Sequence, residues 1–134
     1  MYFMEKLKPL GLLLLRLGLG VISIYHGYPK LFGDVKRMVD FFVSIGLPAY
    51  FVYVAGAVEF FGGWLLVAGL FTRVAGVLLA GQMAVAIWKV HLGKGLLAVS
   101  EYEFPLALGL AALVLATTGA GAISLDKLIF REKA

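Results

Sequence analysis

The apolar positions of the chain fall into four long runs separated by short polar breaks, at about residues 10–28, 50–71, 74–90 and 104–118. A hydrocarbon core of about 30 Å takes roughly 20 helical residues to cross, and the four runs approach that length. None alternates polar and apolar positions as a barrel strand does, and each is too long for one. The pattern predicts an all-α fold: a four-transmembrane-helix bundle forming a single domain over residues 1–134.

One connection is long. In residues 29–48, Val35, Met38, Val39, Phe42 and Ile45 recur at helical spacing, opposed by Asp34, Lys36, Arg37 and Asp40. That arrangement predicts a short helix over about 34–45, lying in the membrane interface rather than forming a fifth span. Residues 122–134 read as an amphipathic, basic tail suited to a membrane surface. The first run follows Lys6 and Lys8, as a signal peptide would. Arg16 interrupts it and no small-x-small cleavage site follows Tyr28, so it reads as retained.

Composition sharpens this picture. The chain is 62% hydrophobic and 15% charged, against about half and about a quarter for soluble domains. That excludes a disordered chain and argues against an ordinary soluble globule. The net charge of +4 resides beside apolar segments. Orientation at an anionic membrane face explains it better than nucleic acid does. Four spans would put both termini on one side, with Lys6, Lys8, Arg73, Lys127, Arg131 and Lys133; the other side carries Lys30, Lys36, Arg37, Lys89 and Lys94. The excess places the termini of a multi-pass cell-membrane protein in the cytoplasm. Cysteine is absent, so the chain forms no disulfide and ligates no iron–sulfur cluster through its own thiolates.

Few polar residues interrupt the runs. Glu59 lies near the middle of the second, and its helical neighbours Ala55, Gly56, Gly62 and Gly63 are all small. Small residues let helices approach closely in lipid, so Glu59 is expected to face protein or a cavity. A central charge costs about 3 kcal/mol on insertion scales, and something must compensate it. Arg16, whose face continues through Gly20, Ser23 and Gly27, is the expected partner. Rises of about 9 Å and 18 Å from the terminal side separate the two, and Gln82 falls between them. A buried pair of this kind either fixes helix register or forms a site where Glu59 carries a proton or orients a ligand.

The other polar residues gather at the opposite end: Tyr25, His26 and Tyr28, then Lys89 and His91, then Glu101, Tyr102 and Glu103. Tyr25, His26, Gln82 and Glu103 are candidate ligand-binding residues. His26, His91 and a carboxylate (Glu101 or Glu103) would make a two-histidine, one-carboxylate metal set, and the two histidines alone would ligate a haem. The ordinary reading of Glu103 is a capping box, with Ser100 as the N-cap.

Several segments resemble the DoxX family of small membrane proteins. LRLGLGVISIYHGYPKLFG is similar to its opening helix, with Arg16, His26-Gly27 and Lys30-Leu31 in order. VEFFGGWLLVAGLFTR is similar to the second, through Glu59, Gly62, Gly63, Gly69, Thr72 and Arg73. Met83, His91 and Glu103 continue the likeness, and GAGAISLD closes it at Asp126, with Ala122-Ile123 where basic and aromatic residues are common. The resemblance covers about residues 10–126. It implies a four-helix integral membrane protein of a family that includes small subunits of thiosulfate:quinone oxidoreductase. The implied function is a subunit of a membrane redox system, using quinone and a protein partner or a second copy of itself. Glu59 and Arg16 would be the catalytic residues, and the lack of cysteine suits a quinone-facing role. The competing functions are a small-solute or lipid carrier, and a membrane anchor that docks an enzyme through residues 34–45 and the tail.

Overall fold

The computed structural model describes the backbone of residues 2–91 and 99–130, and the side chains of 3–89 and 102–130. All regular structure among them is helical. The helices are α1 (Tyr2–Lys6), α2 (Lys8–Phe32), α3 (Val35–Ser44), α4 (Phe51–Ala68), α5 (Thr72–Ala86), α6 (Val99–Thr118) and α7 (Leu125–Phe130), with a π-helical stretch, Ile87–His91, extending α5. Helices α2 and α4 are long and apolar enough to cross a membrane, and α6 contains a shorter apolar segment, Tyr102–Thr118.

Helix α2 packs along α4, α4 touches α5, α5 packs along α6, and α6 returns to α2. Leu12, Leu19, Leu66, Ala75, Leu79, Ala112 and Leu115 form the shared core. The outward faces remain apolar, with Leu14, Val21, Trp64, Val77 and Leu110 exposed. In lipid there is no hydrophobic gain from bringing such helices together, so close packing must hold them. Glycines provide it. A Cβ on Gly63 would stand 2.6 Å from the Gly20 carbonyl oxygen, and one on Gly27 would stand 2.5 Å from the Phe60 nitrogen. Gly76 packs as tightly on the backbone of Ala112 and Ala116.

Helix α2 passes residue 28, where the first apolar run was expected to end, and carries Pro29 within its last turn. A proline there forfeits one hydrogen bond, and the Gly33 N–H closes the turn on the Pro29 carbonyl at 3.2 Å. The turn is held from outside as well: a Cβ on Gly56 would stand 2.9 Å from Lys30 Cβ. Lys30 therefore belongs to the helix and not to a connection. Asp34 then caps α3, accepting from the Arg37 N–H at 3.2 Å, as short polar side chains do at helix starts. No residue of α3 is buried.

Two readings of the ends change. Helix α6 already includes Val99, so Ser100 lies inside it and is not the N-cap of a capping box. The tail is not only a surface strip, because Asp126 in α7 is fully buried. Its carboxylate accepts from the Phe71 and Thr72 N–H groups at 2.7 and 2.9 Å, and its own N–H donates to the Gly69 carbonyl at 2.8 Å. Asp126 thus supplies from a distant segment the N-terminal cap that Phe71, in the left-handed region at φ 50°, cannot supply itself. Arg131 and Lys133, the rest of the basic tail, lie outside the described residues.

Candidate functional site

The glycine contacts fix the register of α2 against α4, and the register decides which charges meet. Gly20 lies against Gly63 and Val67, Gly27 against Gly56 and Phe60, and Gly56 against Lys30. Glu59 is consequently level with the last two turns of α2, and Arg16 with Gly69 at the far end of α4. The two are about 15 Å apart along the axis at 1.5 Å per residue, so the expected Arg16–Glu59 pair does not form. Glu59, 4% exposed, is paired instead with Lys30, through Nζ and Oε1. The Lys30 ammonium also donates to the His26 carbonyl at 3.4 Å.

Arg16 serves the other end. It is 1% exposed and donates through Nη2 to the Ile123 carbonyl at 2.5 Å. Its guanidinium fills the space beside Gly69 where a Cβ would otherwise go, within the field of Asp126. Arg16 binds the chain segment before α7 to α2 and is remote from Glu59. Arg73 works similarly from outside, donating to the Ala116 and Thr117 carbonyls at the C-terminal end of α6, where a cation is favoured by the helix dipole.

A cavity of about 740 Å³ opens beside the Lys30–Glu59 pair. Helices α2, α4, α5 and α6 form its walls, and α3 covers it with Met38, Phe41 and Phe42. Most of its surface is apolar; the polar members are Tyr25, His26, Lys30, Glu59, Gln82 and Lys89. The amphipathic face of α3 is therefore unburied because it borders this space. A separate void of about 10 Å³ lies among Ser23, His26 and Glu59, about the room one water needs.

His26 is exposed to the cavity, its ring 5.7 Å from that of Tyr25 and 5.9 Å from that of Phe104. Its Nδ1 is 2.8 Å from the Ile22 carbonyl oxygen. A carbonyl only accepts, so Nδ1 carries a proton in this contact. The Lys89 ammonium sits 4.3 Å over the Trp88 ring, a cation–π placement.

The structure thus brings Glu59, Tyr25, His26 and Gln82 to one cavity and leaves Arg16 out. Glu103 is exposed and outside the cavity wall, which Phe104, Pro105 and Leu108 complete. The side chains of His91 and Glu101, on which the metal and haem readings depend, lie outside the described residues. Among the described residues, no three His, Asp or Glu converge on a point that suits a metal. Lys30 and Asp126 enter the sequence reading only through the family likeness, and their roles in the two charge clusters were missed. The signal for Lys30 was available: Arg16, Gly20, Ser23, Gly27 and Lys30 continue one face at spacings of three and four. Pro29 masked it.

Comparison with known proteins follows the same residues. The DoxX family profile matches residues 11–92. The Bacillus subtilis protein named "Putative oxidoreductase CatD" is 38% identical over 97% of this chain and 95% of its own length. An uncharacterized protein of Haemophilus influenzae is 35% identical over 96% of this chain and 98% of its own. Inner membrane protein YqjF of Escherichia coli is 27% identical over 96% and 99% respectively. No solved structure matches significantly. With the profile over more than half its length and a close relative over nearly all of it, the chain belongs to the DoxX family.

Proposed function

We propose that this protein is a four-span subunit of a membrane redox system, with cytoplasmic termini, whose cavity beside Lys30 and Glu59 binds a quinone. The single observation that carries the reading is that cavity: about 740 Å³, apolar on most of its surface, with a charged pair and a few polar groups at one wall. Sites for small apolar ligands have this make-up, a large apolar wall and a few placed polar groups that fix orientation. The apolar outer faces of the helices support a bilayer as the surrounding solvent. The name of the Bacillus subtilis relative and the membrane location in the name of the Escherichia coli one agree with it.

In this reading the apolar wall from α3, α4 and α5 receives the ring and the first part of the tail. Glu59, paired with Lys30, supplies a polar anchor at the head of the cavity. His26 and Gln82 offer hydrogen bonds to the ring substituents. A partner protein supplies or takes the two electrons that the quinone exchanges, and this chain's own residues bind and orient the ring. Arg16, initially expected to act with Glu59, keeps a structural role.

The test is native mass spectrometry of the protein released from membranes, beside Glu59→Gln. A retained quinone mass that disappears in the folded variant is the expected result. No retained mass, together with no uptake of added quinone by the wild-type protein, would overturn the reading. It would favour a carrier of another solute or an anchor.

A further inference from the structure

The cavity beside Glu59 is walled unevenly. On its α2–α6 side, aromatic rings bridge the two helices: the His26 ring on α2 lies 5.9 Å from that of Phe104 on α6, with Tyr25 beside it. On its α4–α5 side the lining is aliphatic or lacks a side chain. Val54, Leu78 and Gly81 stand there, and all three are exposed. The outward faces of α4 and α5 are apolar, with Trp64 and Val77 exposed. An opening between these helices therefore faces the hydrocarbon of the bilayer.

Gly81 is the unusual member of that wall. It lies in the interior of α5, where glycine weakens a helix relative to alanine. Packing explains the glycines at the helix contacts: a Cβ on Gly20, Gly27, Gly63 or Gly76 would stand within 2.7 Å of a backbone atom of the neighbouring helix. A Cβ on Gly81 would meet nothing within 4 Å. Gly11 and Gly18 are equally free, but neither borders this cavity, and Gly81 does. With 3.6 residues per turn, Gly81 stands about 160° around α5 from Leu79, which is buried in the core. Gly81 thus marks the outer, lipid-side margin of the cavity, at a point where the wall has no side chain.

The size of the space limits what it holds. A volume of about 740 Å³ encloses a molecule of drug size, and a membrane quinone with its polyisoprenoid tail is longer than that. We infer that the tail leaves the cavity between α4 and α5, across Gly81, and continues into the bilayer. The missing side chain at 81 is then a specificity determinant: it keeps the passage wide enough for a tailed quinone. This rests on the reading that a quinone occupies the cavity, and it adds the path of the ligand and the residue that sets the width of that path. The side chain introduced by Gly81→Leu would stand in the passage and lift about two methylenes of the tail off the apolar wall, which corresponds to about tenfold in affinity.

The experiment is isothermal titration of the purified full-length protein in detergent, with decylubiquinone and with the same benzoquinone ring lacking the decyl chain. Empty micelles serve as the blank. Gly81→Leu is expected to bind decylubiquinone about tenfold more weakly than the wild type while its affinity for the tail-less ring changes less than about twofold. Gly81→Ala adds only a methyl group and is expected to lose about threefold for decylubiquinone. It should also unfold no earlier than the wild type, because that methyl meets open space. Ala84→Leu places the same side chain on an exposed position of α5 outside the cavity wall and is expected to leave both affinities unchanged. Circular dichroism verifies that each variant is folded. Full decylubiquinone affinity in Gly81→Leu, an equal loss for the tail-less ring, or the same loss in Ala84→Leu would each overturn the inference while leaving quinone binding intact. Failure of Gly81→Leu to fold would overturn it too, by showing that a side chain at 81 meets protein. Binding of neither compound by the wild type would overturn the quinone reading itself, and this inference with it.

Discussion

Adding a single methyl group at Gly27 is expected to loosen the whole α2–α4 contact, whereas the same change at Gly18 is expected to strengthen the protein. The Gly27→Ala methyl would stand 2.5 Å from the Phe60 nitrogen, 2.9 Å from the Gly56 carbonyl oxygen and 3.0 Å from Glu59 Cβ. Two of these atoms are backbone, so no side chain can swing away. The helices must separate by several tenths of an ångström over a contact whose adhesion is close packing. Overpacking of this kind costs about 1–3 kcal/mol, and the upper part of that range applies because rigid backbone must move. Replacing a helical glycine by alanine returns up to about 1 kcal/mol through helix propensity. The net for Gly27→Ala is a loss of about 1–2 kcal/mol. Gly18 is exposed on the same helix, and a Cβ there meets nothing within 4 Å. Gly18→Ala keeps only the propensity term and is expected to gain up to about 1 kcal/mol. The assay is unfolding of the wild-type protein and both variants in one detergent, followed by far-ultraviolet circular dichroism. Opposite shifts are the expected outcome. Equal stability of the two variants would refute the claim that glycine contacts set this interface, and the register argument built on it.

Further outcomes follow from the two buried charge clusters and the cavity. Lys30→Met leaves Glu59 uncompensated and is expected to cost about 3 kcal/mol; adding Glu59→Gln to it should recover most of that loss in the same unfolding assay, and no recovery would contradict the pairing. Asp126→Ala strips the caps from the Phe71 and Thr72 N–H groups and removes the counter-charge near Arg16, a loss of about 2–3 kcal/mol. Asp126→Asn should fall between it and the wild type, and a change below about 0.5 kcal/mol in both would show that α7 is not fastened. Glu59→Gln is expected to abolish quinone retention while the protein still folds, and native mass spectrometry of the variant checks it.

The small-residue faces were the most legible feature of the site. Ala55, Gly56, Gly62 and Gly63 around Glu59, and Gly20, Ser23 and Gly27 on α2, are all buried, as expected where small residues gather on one helix face and let another helix approach. The partner of Glu59 was not legible. Counting 1.5 Å per residue from a presumed membrane surface gave depths for Arg16 and Glu59 that looked bridgeable. The true register is set by which glycine meets which, and that depends on both helices at once. Lys30 was hidden by a local rule: proline ordinarily closes a helix, and here the packing of Gly56 on the next turn outweighs it. The role of Asp126 was not legible for a different reason. A carboxylate in a short amphipathic segment looks solvated, and only the tertiary path shows that the segment returns to the α4–α5 turn. The amphipathic pattern over 34–45 did identify a helix, Val35–Ser44, although not the cavity it covers.

The clasp between Arg16 and the segment before α7 also sets an order of events during synthesis. Arg16 and its carbonyl partner at Ile123 are 107 positions apart. At about 5–20 residues per second, roughly 5–20 s pass between the appearance of the two. Through that interval α2 holds a guanidinium without its final carbonyl partner, and its long side chain must reach toward the nearer aqueous face. The Lys30–Glu59 contact closes much earlier, once α4 has emerged. The cavity end of the molecule is therefore assembled first and the terminal end last. A chain interrupted before Ile123 would display a formed cavity above an open base, with the Arg16 charge lacking its carbonyl partner.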